Sequence, residues 1–169
     1  MAFVDSLKKA IEIVKLNAKA IQEVAKDNTL TTHAFLILVI AGVASAVGQL
    51  NPLGLIVSPI SVVVGQLIGV GILHLIASVL GGKGNYMQLF RASSFGGILS
   101  WVQIIPIIGP MVGSVLSLWL IIVHVVVLKN VYKLSTAKAV IAILIPIIIV
   151  LVLVFAFGAA FLATMFATQ

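Results

Sequence analysis

Long uncharged stretches separated by short basic segments constrain the fold of this chain more than any other feature. The carboxylates all precede residue 28, and they are Asp5, Glu12, Glu23 and Asp27. Beyond them, the fixed charges are Lys83, Arg91, Lys129, Lys133 and Lys138. Only 8% of the 169 residues are charged, against about 25% in soluble domains. Lipid, rather than water, is therefore the main solvent of the folded chain.

The uncharged stretches predict membrane-spanning helices, because about 20 apolar residues cross a hydrocarbon core of roughly 30 Å. We predict an all-α polytopic bundle, with an amphipathic segment at residues 1–27 and one transmembrane domain at 28–169. Five spans are placed at about 32–50, 59–80, 92–105, 111–128 and 139–166. Pro59 is expected to begin the second span. The turn at 106–110 offers little polar material, so whether the third and fourth spans cross fully stays open.

Apolar residues recur in steps of three and four through the first 25 positions, which places them on one face of a helix. They are Val4, Leu7, Ile11, Val14, Ala18, Ile21 and Ala25. Lysines and carboxylates fill the opposite face. This pattern predicts an in-plane helix on the cytoplasmic leaflet, with its lysines toward the headgroups. The alternative is a helix that packs on the protein's own cytoplasmic face or pairs with a second copy.

Basic residues fix the orientation, because short loops rich in Lys and Arg stay in the cytoplasm. Five lie in the amino-terminal segment, two in 81–91 and three in 129–138, which accounts for all ten in the chain. These three segments fall on one side of a five-span topology. We therefore predict a cytoplasmic amino terminus and an external or lumenal carboxyl terminus.

The basic residues between the spans are candidate contacts for anionic lipid headgroups, since their loops contain no carboxylate. These candidates are Lys83, Arg91, Lys129, Lys133 and Lys138. Nucleic acid is not an expected partner, because basic residues between apolar spans set topology and meet lipid. Small residues at four-residue spacing, such as Gly65 and Gly69, allow close helix packing. They serve packing within one chain, or association with a second copy or another membrane protein.

Catalytic chemistry is not expected, because acid-base, nucleophilic and metal catalysis need convergent ionisable groups. The predicted spans hold no Asp or Glu, and the chain contains no cysteine. We predict no catalytic residue, no metal site and no cofactor. The candidate intramembrane polar cluster is Gln66, His74, Ser78, Ser117 and His124. Two uses of it stay open, namely a polar cavity for a lipid headgroup or small solute and ordinary hydrogen bonding between helices.

A series of features between residues 81 and 146 resembles the Yip family of Ypt/Rab-interacting membrane proteins. The features are a Gly81-Gly-Lys-Gly84 helix end, the Tyr86-Met-Gln-Leu-Phe-Arg91 amphipathic segment, the proline-bounded turn at 106–110 and Leu128-Lys-Asn-Val-Tyr-Lys-Leu-Ser135. The likeness extends over residues 28–166 in outline. It implies five spans, a cytosolic amino-terminal region, a far-side carboxyl terminus, association among family members and a trafficking role.

The chain departs from the eukaryotic members of that family in two respects. Its amino-terminal region is short, and it has no Asp-Leu-Tyr-Gly-Pro motif, which argues against a Rab-type GTPase as partner and is typical of a prokaryotic member. The resemblance favours a non-enzymatic, membrane-organising or trafficking-like adaptor that acts through protein and lipid contacts. The alternative is a scramblase-like or channel-like bundle that handles lipid or a small solute through the region of Gln66, His74 and His124.

Overall fold

Helices form the regular structure throughout residues 2–167, the part of the chain that the computed structural model describes, with side chains described to residue 159. Seven α-helices follow one another within residues 2–167: α1 Phe3–Val14, α2 Ala18–Lys26, α3 Thr31–Gly48, α4 Gly54–Val79, α5 Tyr86–Gly96, α6 Ile108–Tyr132 and α7 Thr136–Ala167. Short 3-10 helices at Asn28–Leu30 and Gly97–Ile104 precede α3 and continue α5. The all-α prediction is confirmed.

The amino-terminal segment forms two helices where the sequence pattern predicts one. Leu16 has a φ of 66°, and the Asn17 side chain accepts hydrogen bonds from the backbone N–H groups of Lys19 and Ala20. Such an Asn cap starts a new helix, so the chain reverses here and α2 returns along α1. We call residues 3–26 the N-terminal hairpin.

One face of the N-terminal hairpin is buried against the rest of the protein. Its buried residues are Ser6, Ala10, Ile13, Ala20, Ile21, Val24 and Ala25. Most of them belong to one core cluster with α5 and α6, which includes Phe90 and Val127. Of the predicted apolar stripe, Ile21 and Ala25 are thus covered by protein, whereas Val4 and Ile11 are 63% and 46% exposed.

In the part of the chain that the structure describes, four helical segments are long and apolar enough to cross a membrane, which makes the chain an integral multi-pass membrane protein. They are Asn28–Gly48, Gly54–Val79, Ile108–Tyr132 and Thr136–Ala159. The second begins before Pro59, which lies inside α4 rather than at its start. Pro146 lies inside α7, where a kink is expected.

Residues 86–104 replace the predicted helical span at 92–105 with α5 and its 3-10 continuation. This segment runs parallel to α3 from end to end: Arg91 bonds to Thr31, the Trp101 indole N–H donates to the Ile37 carbonyl, and Gln103 lies against Gly48. Contact is so close that a Cβ on Gly48 would overlap the Gln103 carbonyl oxygen. The segment therefore extends as far along the bundle as α3 does.

The bundle has two different ends. We call the end that holds the first turns of α3, α5 and α7 and the last turns of α4 and α6 the near end. The far end consists of the turn at 49–53, between α3 and α4, and the turn at 105–107, before α6. Helix α7 packs on α4 and α6 through its first half, and its side chains from Ile148 to Phe157 are exposed.

Candidate functional site: the near end of the bundle

The Gly-Gly-Lys-Gly segment wraps around Tyr132 at the last turn of α6. The Lys83 backbone N–H donates to the Tyr132 carbonyl at 3.0 Å. A Cβ on Gly82 would lie 2.7 Å from the Tyr132 ring, and one on Gly84 would lie 2.9 Å from it. Glycine is needed here because the backbone approaches the buried ring closely. The Gly-Gly-Lys-Gly segment after α4 therefore packs tightly around Tyr132 and holds Lys83 at the surface.

Tyr132 also connects α6 to α4. Its hydroxyl is hydrogen-bonded to Nδ1 of His74, and the two rings lie 5.9 Å apart. Tyr86, on α5, packs edge to face on the same imidazole and donates its hydroxyl to the Leu67 carbonyl. No sequence spacing pairs Tyr132 or Tyr86 with His74, and the only sequence signal is that both tyrosines lie beside polar loops.

Arg91 is buried, with 4% of its surface exposed. Its guanidinium donates through Nε, at 3.1 Å, and through Nη2 to the Ala25 carbonyl, and through Nη1 to the Thr31 hydroxyl. A cation at the last carbonyls of α2 satisfies acceptors that the helix itself leaves open. This corrects the expectation that Arg91 contacts lipid, because its charged group holds the N-terminal hairpin to the bundle.

The other four predicted lipid contacts are exposed at the near end. We call Lys83, Lys129, Lys133 and Lys138 the cationic collar. The Lys138 ammonium donates to the Leu80 carbonyl at 2.8 Å and remains exposed. Within residues 2–159, none of the four forms an ion pair with a carboxylate.

The charged face of the N-terminal hairpin is, by contrast, largely neutralised. Three ion pairs join Lys8 to Asp5, Lys9 to Glu23 and Lys15 to Glu12, at 3.8, 3.4 and 3.2 Å. Hydrogen bonds from Asn17 and then Lys15 lower the pKa of the Glu12 carboxyl. The hydroxyl of Thr29 does the same for the pKa of Asp27.

The five members of the predicted intramembrane cluster do not converge. His74 bonds to Tyr132, Ser78 and Ser117 donate to carbonyls of their own helices, and Nδ1 of His124 lies 2.7 Å from the Leu120 carbonyl. The Gln66 amide nitrogen is buried without a partner among the described residues. These bonds fit the interpretation of ordinary helix packing for four of the five residues.

A cavity of about 220 Å³ lies between α4, α6 and α7, and His124 is one of its lining residues. The rest of its wall is apolar, from Gly69, Ile72, Leu73, Ile121, Ile143, Pro146 and Ile147. Such a wall offers no series of polar groups along which a headgroup would travel. Among the described residues, no group of three or more His, Cys, Asp or Glu side chains is placed to hold a metal.

The fold and its near end define a polytopic helical membrane protein with a cationic surface on one side. The family model for the Yip1 domain matches residues 13–158, which is most of the chain. The chain belongs to this family, so the resemblance noted in the sequence is confirmed. Neither the curated proteins nor the solved structures contain a match.

Proposed function

We propose that this protein is a non-enzymatic membrane-organising adaptor of the Yip type, acting through its near end. The observation that carries the proposal is the cationic collar, four exposed lysines around one end of the bundle without ion-pair partners in the described part of the chain. Each lysine beside an anionic membrane surface contributes about 1 kcal/mol. Acidic phospholipid and the cytoplasmic regions of other membrane proteins, including a second copy, are the partners that such a surface suits.

The proposal includes the orientation and the number of membrane-embedded segments. All ten basic residues lie in the N-terminal hairpin, at 81–91 or at 129–138, so the near end is the cytoplasmic one under the positive-inside rule. Residues 86–104 pack against α3 along its length. Because α3 is one of the four long apolar helices, these residues supply a fifth membrane-embedded segment. The amino terminus is then cytoplasmic and the carboxyl terminus lies across the membrane.

Lipid retention tests the proposal most sharply when paired and unpaired lysines are compared. In one variant Lys129, Lys133 and Lys138 become Gln, and in the matched control Lys8, Lys9 and Lys15 become Gln. Both lose three positive charges, but only the control lysines have carboxylate partners. At about 1 kcal/mol each, the collar variant should bind acidic lipid on the order of a hundredfold more weakly.

Native mass spectrometry of protein extracted from mixed-lipid membranes measures this difference. We expect the parent and the control to retain acidic phospholipid and the collar variant to lose most of it. Equal retention in all three proteins would leave the collar as an orientation signal and contradict the proposal. A pull-down from native membranes on the same samples identifies the protein partners.

A further inference from the structure

A small polar cavity lies at the near end of the bundle, where α2, α5 and α6 meet. Its volume is about 40 Å³, and the polar side chains that line it are Gln22, Lys26, Gln88, Asn130 and Lys133. We call it the near-end cavity. A water molecule needs about 10–15 Å³ of such a volume, so the near-end cavity has room for one small polar group and none for a whole lipid headgroup.

The two lysines of the near-end cavity have no anionic partner among the side chains that the structure describes. The carboxylates closest to Lys26 in the sequence are bound elsewhere. Glu23 pairs with Lys9 at 3.4 Å. The Asp27 carboxyl accepts from the backbone N–H and the hydroxyl of Thr29, at 3.0 and 2.6 Å. Neither carboxylate lines the near-end cavity, so its cationic charge is left for a ligand.

The amide side chains of the same wall add hydrogen-bond donors. Gln88 accepts from the Asn85 backbone N–H through its amide oxygen, and its amide nitrogen donates to no described residue. The Gln22 amide nitrogen lies 3.5 Å from the Asn130 amide oxygen, which is longer than the usual range of about 2.7–3.2 Å. A ligand that accepts hydrogen bonds could therefore replace this weak contact. Ammonium and amide donors around one small space are suited to an oxyanion.

The backbone of Lys133 is a second, independent sign that its side chain has a use. Lys133 ends α6 with a φ of 57° and a ψ of 33°, in the left-handed region where a helix end ordinarily has Gly or Asn. The helix dipole does not require a cation at this position, because Lys129 already lies in the last turn. A strained residue beside a polar cavity points to a functional role for that side chain.

We propose that the near-end cavity binds the terminal phosphate of a phosphomonoester between Lys26 and Lys133. A phosphomonoester carries a charge of about −1.5 to −2 at pH 7, which matches two ammonium groups better than the single charge of a phosphodiester. The volume admits the phosphate alone, so the group that carries it, a lipid or a small soluble molecule, stays outside. The inference rests on the proposed function, because Lys133 belongs to the cationic collar, and it adds Lys26, which does not.

Two variants that each remove one ammonium group test the site. They are Lys26→Gln and Lys133→Gly, and glycine also fits the left-handed backbone, so the second variant should unfold at the parental temperature or above it. The matched control is Lys19→Gln, another exposed α2 lysine without a carboxylate partner, which does not line the near-end cavity.

Native mass spectrometry counts the lipid that each protein retains from nanodiscs. The nanodiscs are phosphatidylcholine with either phosphatidic acid, a phosphomonoester, or about twice as much phosphatidylglycerol, a phosphodiester, so that surface charge is similar. We expect the parent and the control to prefer phosphatidic acid. Each site variant should lose that preference on the order of tenfold, because one charge-assisted hydrogen-bond partner is removed.

Glycerol phosphate added to protein in pure phosphatidylcholine nanodiscs distinguishes the two carriers. Binding that both site variants weaken would support the cavity and assign it a soluble ligand, whereas retention of phosphatidic acid alone would support it with a lipid ligand. A parent with no preference for either phosphomonoester, or a preference that survives in both site variants, would overturn the inference. Failure of the proposed function is a separate result, namely equal retention of phosphatidylglycerol by the parent and the collar variant.

Discussion

The two ends of the bundle use different kinds of residues to connect one helix to the next. At the near end, connections carry lysines, a buried arginine and glycines closed around Tyr132, and their polar groups bond across several elements. At the far end, the turns are uncharged, the Ile107 N–H joins them by donating to the Gly48 carbonyl, and most of the exposed side chains are apolar, although Gln49 and Asn51 are exposed too. One end is charged, and the other is uncharged and mostly apolar.

The difference teaches that length and hydropathy describe a span but not the surface at each of its ends. Four of the described segments meet the length and hydropathy of a span, yet their ends differ in charge. The lysines of the cationic collar suit an anionic headgroup surface, whereas the far-end turns contain no fixed charge.

The largest expected effect comes from placing a charge in the middle of a membrane-spanning helix. Ile68 lies in the middle of α4 and is exposed, so Ile68→Lys should destabilise the protein by about 3 kcal/mol. The matched control is Met87→Lys, an exposed position at the near end, where little change is expected. Steric trapping in lipid bicelles gives both free energies of unfolding, and equal small values would show that this face of α4 does not meet hydrocarbon.

A smaller effect is expected from removing the cation that holds the N-terminal hairpin. Arg91→Ala leaves the buried Ala25 carbonyl without its donors and should cost about 2 kcal/mol. Lys138→Ala removes a comparable bond, to the Leu80 carbonyl, but from an exposed position, and should cost less than about 0.5 kcal/mol. Thermal unfolding in nanodiscs compares the two, and a larger loss in the Lys138 variant would contradict this account of the near end.

The glycines give the smallest of the expected changes. Gly82→Ala should cost about 1 to 2 kcal/mol, because its Cβ would meet both the Tyr132 ring and the Ala77 carbonyl oxygen. Gly65→Ala meets nothing within 4 Å and should be neutral or stabilising by up to about 1 kcal/mol through helix propensity. The same unfolding measurements decide the order, and a reversed ranking would show that the Gly82 loop is less tightly closed.

Much of the architecture could be predicted from the sequence, because charge and hydropathy act over whole segments. The uncharged runs predict the four long helices, and the distribution of lysines predicts which ends lie together. The break between α1 and α2 at Leu16 was not predicted, because the sequence does not distinguish an Asn inside a helix from an Asn that caps one. The structure shows that the Asn17 side chain caps α2 by accepting from the N–H groups of Lys19 and Ala20. Local capping there outweighed a continuous apolar stripe.

The candidate site was harder to predict, because it depends on how helices rotate against one another. A count of loop charges treats Arg91 as exposed, whereas packing against α2 buries it. The predicted intramembrane polar cluster places His74 with His124, but His74 bonds to Tyr132, and His124 bonds within α6. The direction in which each of these side chains points depends on the helices packed against it. Residue spacing in a single sequence does not reveal that packing.

The side of the membrane on which each end lies is the measurement that tests the contrast most directly. An impermeant maleimide is added to intact and to opened cells that carry Lys133→Cys or Leu53→Cys, in a chain with no cysteine of its own. The account predicts that Lys133→Cys labels only after the cells are opened, and that Leu53→Cys labels in intact cells. Labelling of Lys133→Cys in intact cells would contradict it, because the lysine-rich near end would then lie outside.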